Sequence, residues 1–392
     1  MFTRREVMAA AAAVATSTMP GSALAEDAMD PVAYMLSQIA AGTAPGAALI
    51  ASRSGKVRLE AYSGTYCSLH NRTETLTSDV LHPVYSYSKL ISATVVVVAH
   101  QEGRVDYDAP VSKYIPEFKG GGKDGITLRH LMTHSAGIPN VPLGPVRTEV
   151  EWDKALKAVC AASTEWEPGS KSAYHALSGM FTAAAVVRSQ YGGRTWEDIC
   201  QEKLFRPIGA HSLTFKVPAD SAPAAITPQP LTLPESLANA YGLAGHPAGG
   251  CFATASDALK VLQLHLNNGR WGRKQILQPS ELTEMHRVQY QKEIDAARLA
   301  GHAPKHETWG LGPLMRGTGP SYGGHGWFGF QNQTSPGIFG HAGIDTVIGV
   351  ADPATGIALF FATTASPPTS AAATAIRNGI TDRVFARLTP HV

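Results

Sequence analysis

Hydrophobic and polar positions near both ends of the chain follow the patterns expected of strands. Residues 46–51 and 56–62 carry closely spaced or alternating apolar side chains, and Ser54-Gly55 between them supplies a tight turn. This stretch predicts a hairpin. Near the other end, residues 345–351 and 357–363 flank a turn that contains Pro and Gly, and they predict a second pair of strands.

Between these strand pairs, residues 105–299 show mostly helical spacing interrupted by Pro and Gly turns. The clearest helical runs there are residues 152–161, 176–189 and 257–267. Residues 31–41 and about 369–387 predict one further helix near each end.

This order of elements predicts an α+β fold. One antiparallel sheet is expected from the N- and C-terminal segments, flanked by helices, because the strands lie at both ends with helices between them. The sheet part should comprise about residues 30–105 and 305–392, and the inserted, mainly helical part about residues 106–304. With 44% hydrophobic residues, the chain can bury a substantial core.

One apolar run is ambiguous between strand and helix. Residues 90–99 include Thr94 and four consecutive valines, which favour a strand by propensity, whereas the length of the run and its lack of breakers allow a buried helix. We predict a buried helix from about Ser86 to Gln101, because the chemistry considered below requires a helical offset between two side chains.

The first residues have the layout of an export signal. Arg4-Arg5 precede a short apolar run that ends at Ala23-Leu24-Ala25, which predicts a twin-arginine signal over residues 1–25. Residues 26–392 would then form one domain, located in the periplasm or secreted. No later segment has the roughly 18 consecutive apolar residues of a membrane span, so none is predicted in the mature chain.

Charge and cysteine content narrow the function further. The chain has 33 basic and 31 acidic residues, and nucleic-acid binding is not expected because it requires clustered positive charge. The four cysteines lack C-x-x-C spacing, and although they could pair in three ways, we expect free thiols; they are Cys67, Cys160, Cys200 and Cys251. Nothing in the sequence indicates which oligomeric state the protein adopts.

Ser86-Tyr87-Ser88-Lys89 fits the pattern S-x-x-K. On a helix, positions i and i+3 share one face, so the hydroxyl and the amine should meet. A serine hydroxyl becomes a good nucleophile when a neighbouring base removes its proton, and a lysine can be that base once burial lowers its pKa. A lone four-residue match is weak, so the surrounding motifs matter.

Several further segments follow in a fixed order, and together they resemble the serine beta-lactamase and penicillin-binding-protein superfamily. The resemblance covers roughly residues 30–388 and is nearest to class C beta-lactamases and family VIII carboxylesterases. The segments that carry it are residues 84–89, 127–139, Pro168-Gly169 with residues 174–177, residues 248–257, and residues 339–343 with Asp352-Pro353.

The resemblance implies a beta-lactamase-like fold and a role for several residues. Ser86 would be the acylated nucleophile, and Lys89 and Tyr174 would share its proton, with either as the working base. His341 would stand on the edge strand beside the cleft. Backbone N–H groups of Ser86 and Ile344 would form the oxyanion hole. Substrate-pocket candidates are Tyr85, Ala176, Trp327, Phe328, Ala342 and Gly343.

Two departures from the family pattern bear on the substrate. Beta-lactamases usually have Asn where this chain has Ala176, and Lys where it has His341. The change at Ala176 removes an amide that would hold a beta-lactam side chain, and the change at His341 removes a fixed charge for its carboxylate. A carboxylesterase acting on small acyl esters is therefore favoured, without cofactor or metal.

Three alternative functions remain open. The same residues could serve an amidase or peptidase, including one for peptides with D-amino acids, or a weak beta-lactamase. A non-catalytic cell-wall or ligand-binding module would keep the fold without the activity.

Two other motifs could also indicate a functional site. Residues 319–323 match G-x-S-x-G around Ser321, but Gly-rich loop on both sides lacks the strand and helix that this motif needs. The loop is better interpreted as a border of the cleft. His130 and His134 stand at i and i+4 and could ligate zinc, yet no third ligand is evident and the Glu of H-E-x-x-H is absent.

Overall fold

A computed structural model describes residues 30–68, 72–216, 243–318 and 334–389. The predicted signal over residues 1–25 lies outside the described residues. The same holds for Ser321 and for the pocket candidates Trp327 and Phe328.

A seven-stranded antiparallel sheet forms the centre of the fold, with strand order β3-β2-β1-β11-β10-β9-β8. Its central pair joins the two ends of the chain, because β1 pairs with β11 from Ala47 opposite Thr363 to Arg53 opposite Ile357. The strands are β1 (Gly46–Arg53), β2 (Lys56–Cys67), β3 (Thr73–Thr75), β4 (His82–Pro83), β5 (Phe252–Ala253), β6 (Arg270–Trp271), β7 (Lys274–Gln275), β8 (Leu314–Met315), β9 (Phe339–Gly343), β10 (Val347–Asp352) and β11 (Ile357–Thr363).

Helices cover both faces of the sheet and make up most of the inserted region. A 3-10 turn (Tyr85–Tyr87) leads into α2, a second one spans Val111–Lys113, and a π-helical turn spans Gln201–Phe205. The α-helices are α1 (Pro31–Ala40), α2 (Ser88–Gln101), α3 (Leu128–Met132), α4 (Glu149–Ala161), α5 (Ser178–Gln190), α6 (Trp196–Cys200), α7 (Ala255–Leu266), α8 (Pro279–Met285), α9 (Gln291–Leu299) and α10 (Ser370–Leu388). The α+β fold predicted from the sequence is confirmed.

The two faces of the sheet belong to different parts of the core. In β11, Leu359 and Phe361 pack in one apolar cluster with Ile376 and Ile380 of α10. Phe360, on the opposite face, packs in the larger cluster that includes α2. Because side chains alternate between faces of a strand, β11 must be apolar at nearly every position to serve both clusters.

The ambiguous apolar run is a helix. Every side chain from Ser88 to Ala99 is buried, so α2 runs through the interior of the molecule and has no solvent-facing side over this stretch. Burial on all sides explains why β-branched residues dominate without an amphipathic pattern. The sequence predicts that the helix begins at about Ser86. In the structure Ser86 lies in a 3-10 turn, and the α-helix begins at Ser88.

The predicted start of the strand at Asp345 is wrong. Asp345 adopts φ +50 in the turn between β9 and β10, so the strand predicted from residue 345 begins only at Val347. A left-handed backbone cannot continue a strand. The inserted region, which was predicted to be mainly helical, also contains the short strands β5, β6 and β7.

Within the residues that the structure covers, no helix has both the length and the apolarity needed to cross a membrane. Cys200 and Cys251 are buried free thiols, and Cys160 is a partly buried one; burial raises the pKa of all three.

The approach of β10 to the helix start gives the first prediction. A Cβ added to Gly349 would lie 2.2 Å from the Tyr87 ring, which is fully buried and whose hydroxyl donates to the Ala258 carbonyl at 3.0 Å. We expect G349A to lower the free energy of unfolding by about 1–3 kcal/mol because the ring cannot move aside. Urea unfolding measures this.

The matched control is G125A. A Cβ at Gly125 meets nothing within 4 Å, and its φ is not left-handed. This variant should be neutral or more stable by up to about 1 kcal/mol. Equal effects of the two substitutions would contradict the packing of β10 described above.

Candidate active site

Ser86 lies in the 3-10 turn before α2 and is partly exposed. Tyr85, just before it, adopts φ +43, a conformation that costs on the order of 1–3 kcal/mol for a residue with a side chain. The turn is held from outside: Val84 N donates to the Cys251 carbonyl at 2.9 Å, next to the β4–β5 pair. Strain that the surroundings maintain in this way is common at functional sites.

Lys89 reaches back along the helix to Ser86. Its Nζ lies 3.0 Å from Ser86 Oγ and donates at 2.9 Å to the carbonyl of Ala248. The offset of three residues brings amine and hydroxyl onto the same face, as the S-x-x-K spacing requires. The structure therefore brings these two predicted residues into direct contact.

The surroundings of Lys89 favour its neutral form. The side chain is completely buried, and burial lowers the pKa of Lys89 from 10.5 to about 7. A charged amine removed from water is disfavoured unless a counter-charge stands beside it, and the contact on the far side from Ser86 is a backbone carbonyl rather than a carboxylate. At neutral pH a large fraction of the amine is therefore free base.

The segment that supplies the Ala248 carbonyl is fixed by several hydrogen bonds. Ser92 Oγ of α2 donates to the Pro247 carbonyl at 2.7 Å. The Ala248 N–H donates to His246 Nδ1 at 3.2 Å, and burial together with the nearby Lys89 lowers the pKa of His246 to about 3. His246 thus stays a neutral acceptor, and the carbonyl keeps its orientation toward Lys89.

Tyr174 stands on the other side of Lys89. The amine lies 5.0 Å from the centre of its ring, and the ring is stacked against Trp309 with centres 6.0 Å apart. Tyr174 belongs to an irregular segment before α5. The structure therefore brings Ser86 and Tyr174 close to the buried amine of Lys89. Tyr174 lies 85 positions after Lys89 in the sequence.

His341 lies close to this group but not as predicted. Its ring centre is 6.1 Å from that of Tyr174, yet the side chain is fully buried, and Nδ1 donates to the Ala342 carbonyl at 2.7 Å. The expected edge strand is also covered, because β8 pairs with β9 through Leu314 and Met315. A strand pair of two residues has no recognisable sequence signal, so the extra strand was missed.

The end of β9 packs closely against the turn that carries Ser86. A Cβ on Gly343 would lie 2.4 Å from the Val84 carbonyl and 3.1 Å from Tyr85 Cβ. Glycine is therefore required for the approach. Ile344, for which the resemblance implies an oxyanion donor, follows Gly343 directly and is partly exposed.

The remaining pocket candidates differ in position. Tyr85 and Ala342 are buried, at 2% exposed each, and Gly343 is buried as well. Ala176 is partly exposed, and its N–H donates to Asn140 Oδ1 at 2.8 Å. The helix predicted from residue 176 begins at Ser178. Trp309, which packs with Ala342 and Tyr174, was missed because a single Trp between loop residues carries no motif.

The two histidines considered for zinc do not converge on one point. His130 Nδ1 accepts from the Thr127 N–H at 3.3 Å as part of a helix cap, whereas His134 Nδ1 accepts from the His175 N–H at 3.1 Å. Among the described residues there is no group of three His, Cys, Asp or Glu side chains suited to a metal ion.

Comparison with known proteins gives the family. The family model described as Beta-lactamase matches residues 23–381. The chain belongs to the beta-lactamase family. This agrees with the superfamily that the sequence motifs resemble.

Curated relatives share parts of the chain. "Esterase/beta-lactamase LipL" of Mycobacterium tuberculosis is 28% identical over 155 residues, which cover 40% of this chain and 35% of the relative. "D-alanyl-D-alanine-carboxypeptidase/endopeptidase AmpH" of Escherichia coli is 25% identical over 224 residues, which cover 54% and 55%. The chain thus matches between about a third and about half of the length of these two relatives.

Solved structures match nearly the whole chain. A family VIII carboxylesterase has a TM-score of 0.71 at 23% identity, covering 93% of this chain and 97% of the other. A penicillin-binding protein homologue from Caulobacter crescentus has a TM-score of 0.70 at 20% identity, covering 93% and 98%. These likenesses establish the fold, which is that of a serine hydrolase family with esterases, beta-lactamases and carboxypeptidases among its named members.

The burial of Lys89 predicts an unusual gain in stability on its removal. Between pH 7 and 10.5 the unfolded chain holds a proton on this amine that the folded chain lacks, so the free energy of unfolding rises with pH in this range. K89M removes the cost of burying the amine. We expect it to be more stable than the wild type by on the order of 1–3 kcal/mol at pH 7, after the loss of two hydrogen bonds.

Urea unfolding at several pH values measures the difference, which should shrink as the pH rises toward 10. The control is K56M, at an exposed lysine on the β1–β2 hairpin, for which we expect a change within about 0.5 kcal/mol. A difference between K89M and the wild type that does not vary with pH would contradict the account.

Proposed function

We propose that this protein is a serine hydrolase that forms an acyl-enzyme on Ser86 and acts mainly on small acyl esters. The observation that carries the proposal is the contact of 3.0 Å between Ser86 Oγ and the Nζ of a fully buried Lys89. When the amine is neutral, the hydroxyl can donate its proton along this contact. The hydroxyl then has a general base within hydrogen-bond distance.

Acylation follows from this arrangement. The Oγ–H proton passes to Lys89, the oxygen attacks the carbonyl carbon of the ester, and negative charge collects on the carbonyl oxygen. Backbone N–H groups of Ser86 and Ile344 are the proposed donors to that oxygen. The proton then leaves with the alcohol, delivered from Lys89 or from Tyr174, whose ring lies against the amine.

Deacylation reverses the roles with water in place of the alcohol. Water gives one proton to the Lys89 and Tyr174 pair as it attacks the acyl carbonyl, and the Ser86 oxygen recovers a proton when its bond to the acyl carbon breaks. The products are the free acid and the unmodified serine. No cofactor enters the balance of either half-reaction.

Two residues support esters as the main substrates. His341 stands where beta-lactamases usually carry a lysine, and a histidine does not offer the permanent positive charge of a lysine to a substrate carboxylate. Ala176 offers no side-chain amide to a beta-lactam or a peptide. The similarity to LipL, named an esterase and beta-lactamase, and to a carboxylesterase structure agrees with this preference.

A peptidase acting on D-amino-acid peptides is the second candidate. The similarity to AmpH, named a carboxypeptidase and endopeptidase, favours it. An amine leaving group must be protonated as it departs, and a tyrosine hydroxyl close to a lysine amine could supply that proton.

We also propose that residues 1–25 direct export by the twin-arginine route.

Turnover of three substrates measured side by side tests the proposal. We expect nitrophenyl esters of short acids to be cleaved with a kcat/KM at least about 100-fold above that of a D-alanyl peptide amide or a chromogenic cephalosporin, because Ala176 supplies no side-chain amide and His341 no permanent charge to hold the latter two. S86A should lose at least about 1,000-fold in kcat for esters.

The control is S321A, which removes the serine of the competing G-x-S-x-G motif and should keep wild-type turnover. A fluorophosphonate probe followed by peptide mapping should label the peptide that contains Ser86. Preferred cleavage of the peptide amide would replace the ester assignment with the second candidate. Label at Ser321, or a protein that is neither labelled nor active, would overturn the proposal.

A further inference from the structure

His134 contacts the segment of Tyr174 in three ways. Its carbonyl oxygen accepts a hydrogen bond from Ala173 N at 2.9 Å, and its Nδ1 accepts one from His175 N at 3.1 Å. Its ring centre lies 4.7 Å from that of Tyr174. One residue therefore binds the backbone on both sides of Tyr174 and also packs against its side chain.

The conformation of His134 serves these contacts. The residue has φ +55 and is 2% exposed. Few non-glycine residues adopt this left-handed conformation, and it is kept only where the surroundings stabilise it. Here the conformation allows the carbonyl and the imidazole of one residue to reach residues 173 and 175 together.

The hydrogen bonds also define the state of the imidazole. A backbone N–H can only donate, so His134 Nδ1 must accept and carries no proton, which places the proton of the neutral ring on Nε2. The Trp309 ring completes the support, since its centre is 4.5 Å from that of His134 and 6.0 Å from that of Tyr174. Tyr174 thus has an aromatic ring on each of two sides.

We propose that His134 is a positioning residue for Tyr174: the acceptor at Nδ1 and the carbonyl fix residues 173–175 so that the tyrosine hydroxyl stays in register with Lys89 and Ser86. The inference rests on the proposed role of Tyr174 in proton transfer. Proton transfer requires hydrogen-bond distances, and a displacement of about 1 Å can lower a rate about 100-fold.

Two substitutions at His134 separate the acceptor from the backbone conformation. Glycine and asparagine both tolerate a left-handed φ, but only asparagine keeps a side-chain acceptor. We expect H134G to lower kcat for the ester about 100-fold with KM within about threefold, and H134N to recover at least about tenfold of that loss. The control H130Q changes the histidine inside α3, four positions before His134, and keeps a capping side chain, so its kcat should equal that of the wild type.

A double-mutant cycle with Y174F distinguishes positioning from a general loss of structure. If His134 acts through Tyr174, H134G should lower kcat by no more than about threefold in the Y174F background. Thermal unfolding and circular dichroism confirm that each variant is folded at the assay temperature.

The outcomes are distinct. A 100-fold loss from H134G in both backgrounds, or equal activities of H134G and H134N, would overturn the positioning role while leaving the proposed function intact. Wild-type turnover by Y174F would instead overturn the assignment of Tyr174 to proton transfer, and the role of His134 with it.

Discussion

The arrangement around Ser86 is centred on the amine of Lys89, whose hydrogen-bond partners in the described part of the chain are a hydroxyl and a carbonyl rather than a carboxylate. Lys89 is completely buried, and the structure places it between a serine hydroxyl and a backbone carbonyl. A charged ammonium would be poorly solvated there, so burial lowers the pKa of Lys89 to about 7. Burying the amine costs stability, and under the proposed function it leaves a base poised near neutral pH.

The rest of the structure maintains that environment. Lys89 is part of α2, whose side chains are buried from Ser88 to Ala99, and Ala248 supplies a carbonyl in a segment that is fixed by Ser92 and His246. Strand β9 packs against the turn that carries Ser86, and the lack of room for a Cβ at Gly343 shows how close that approach is. Distant parts of the sequence thus meet at one hydroxyl.

Local sequence patterns predicted the parts of this arrangement that depend on local geometry. The S-x-x-K spacing places Ser86 and Lys89 on one helix face, and the apolar strands near each end predict the central sheet. By contrast, the carbonyl of Ala248 reaches Lys89 only through a loop 159 residues further along, so no local pattern predicts it. The covering of β9 by β8 and the left-handed turn at Asp345 were missed for related reasons: one depends on a tertiary contact, and the other on a backbone conformation that aspartate only sometimes adopts.

The state of the amine can be observed directly. Lysine labelled with 13C at Cε gives an NMR signal that shifts when the amine titrates, and comparison with K89M identifies the signal of Lys89. We expect a titration midpoint near pH 7 for Lys89 in the folded protein. A Lys89 signal that remains that of an ammonium group up to pH 10 would contradict the central claim.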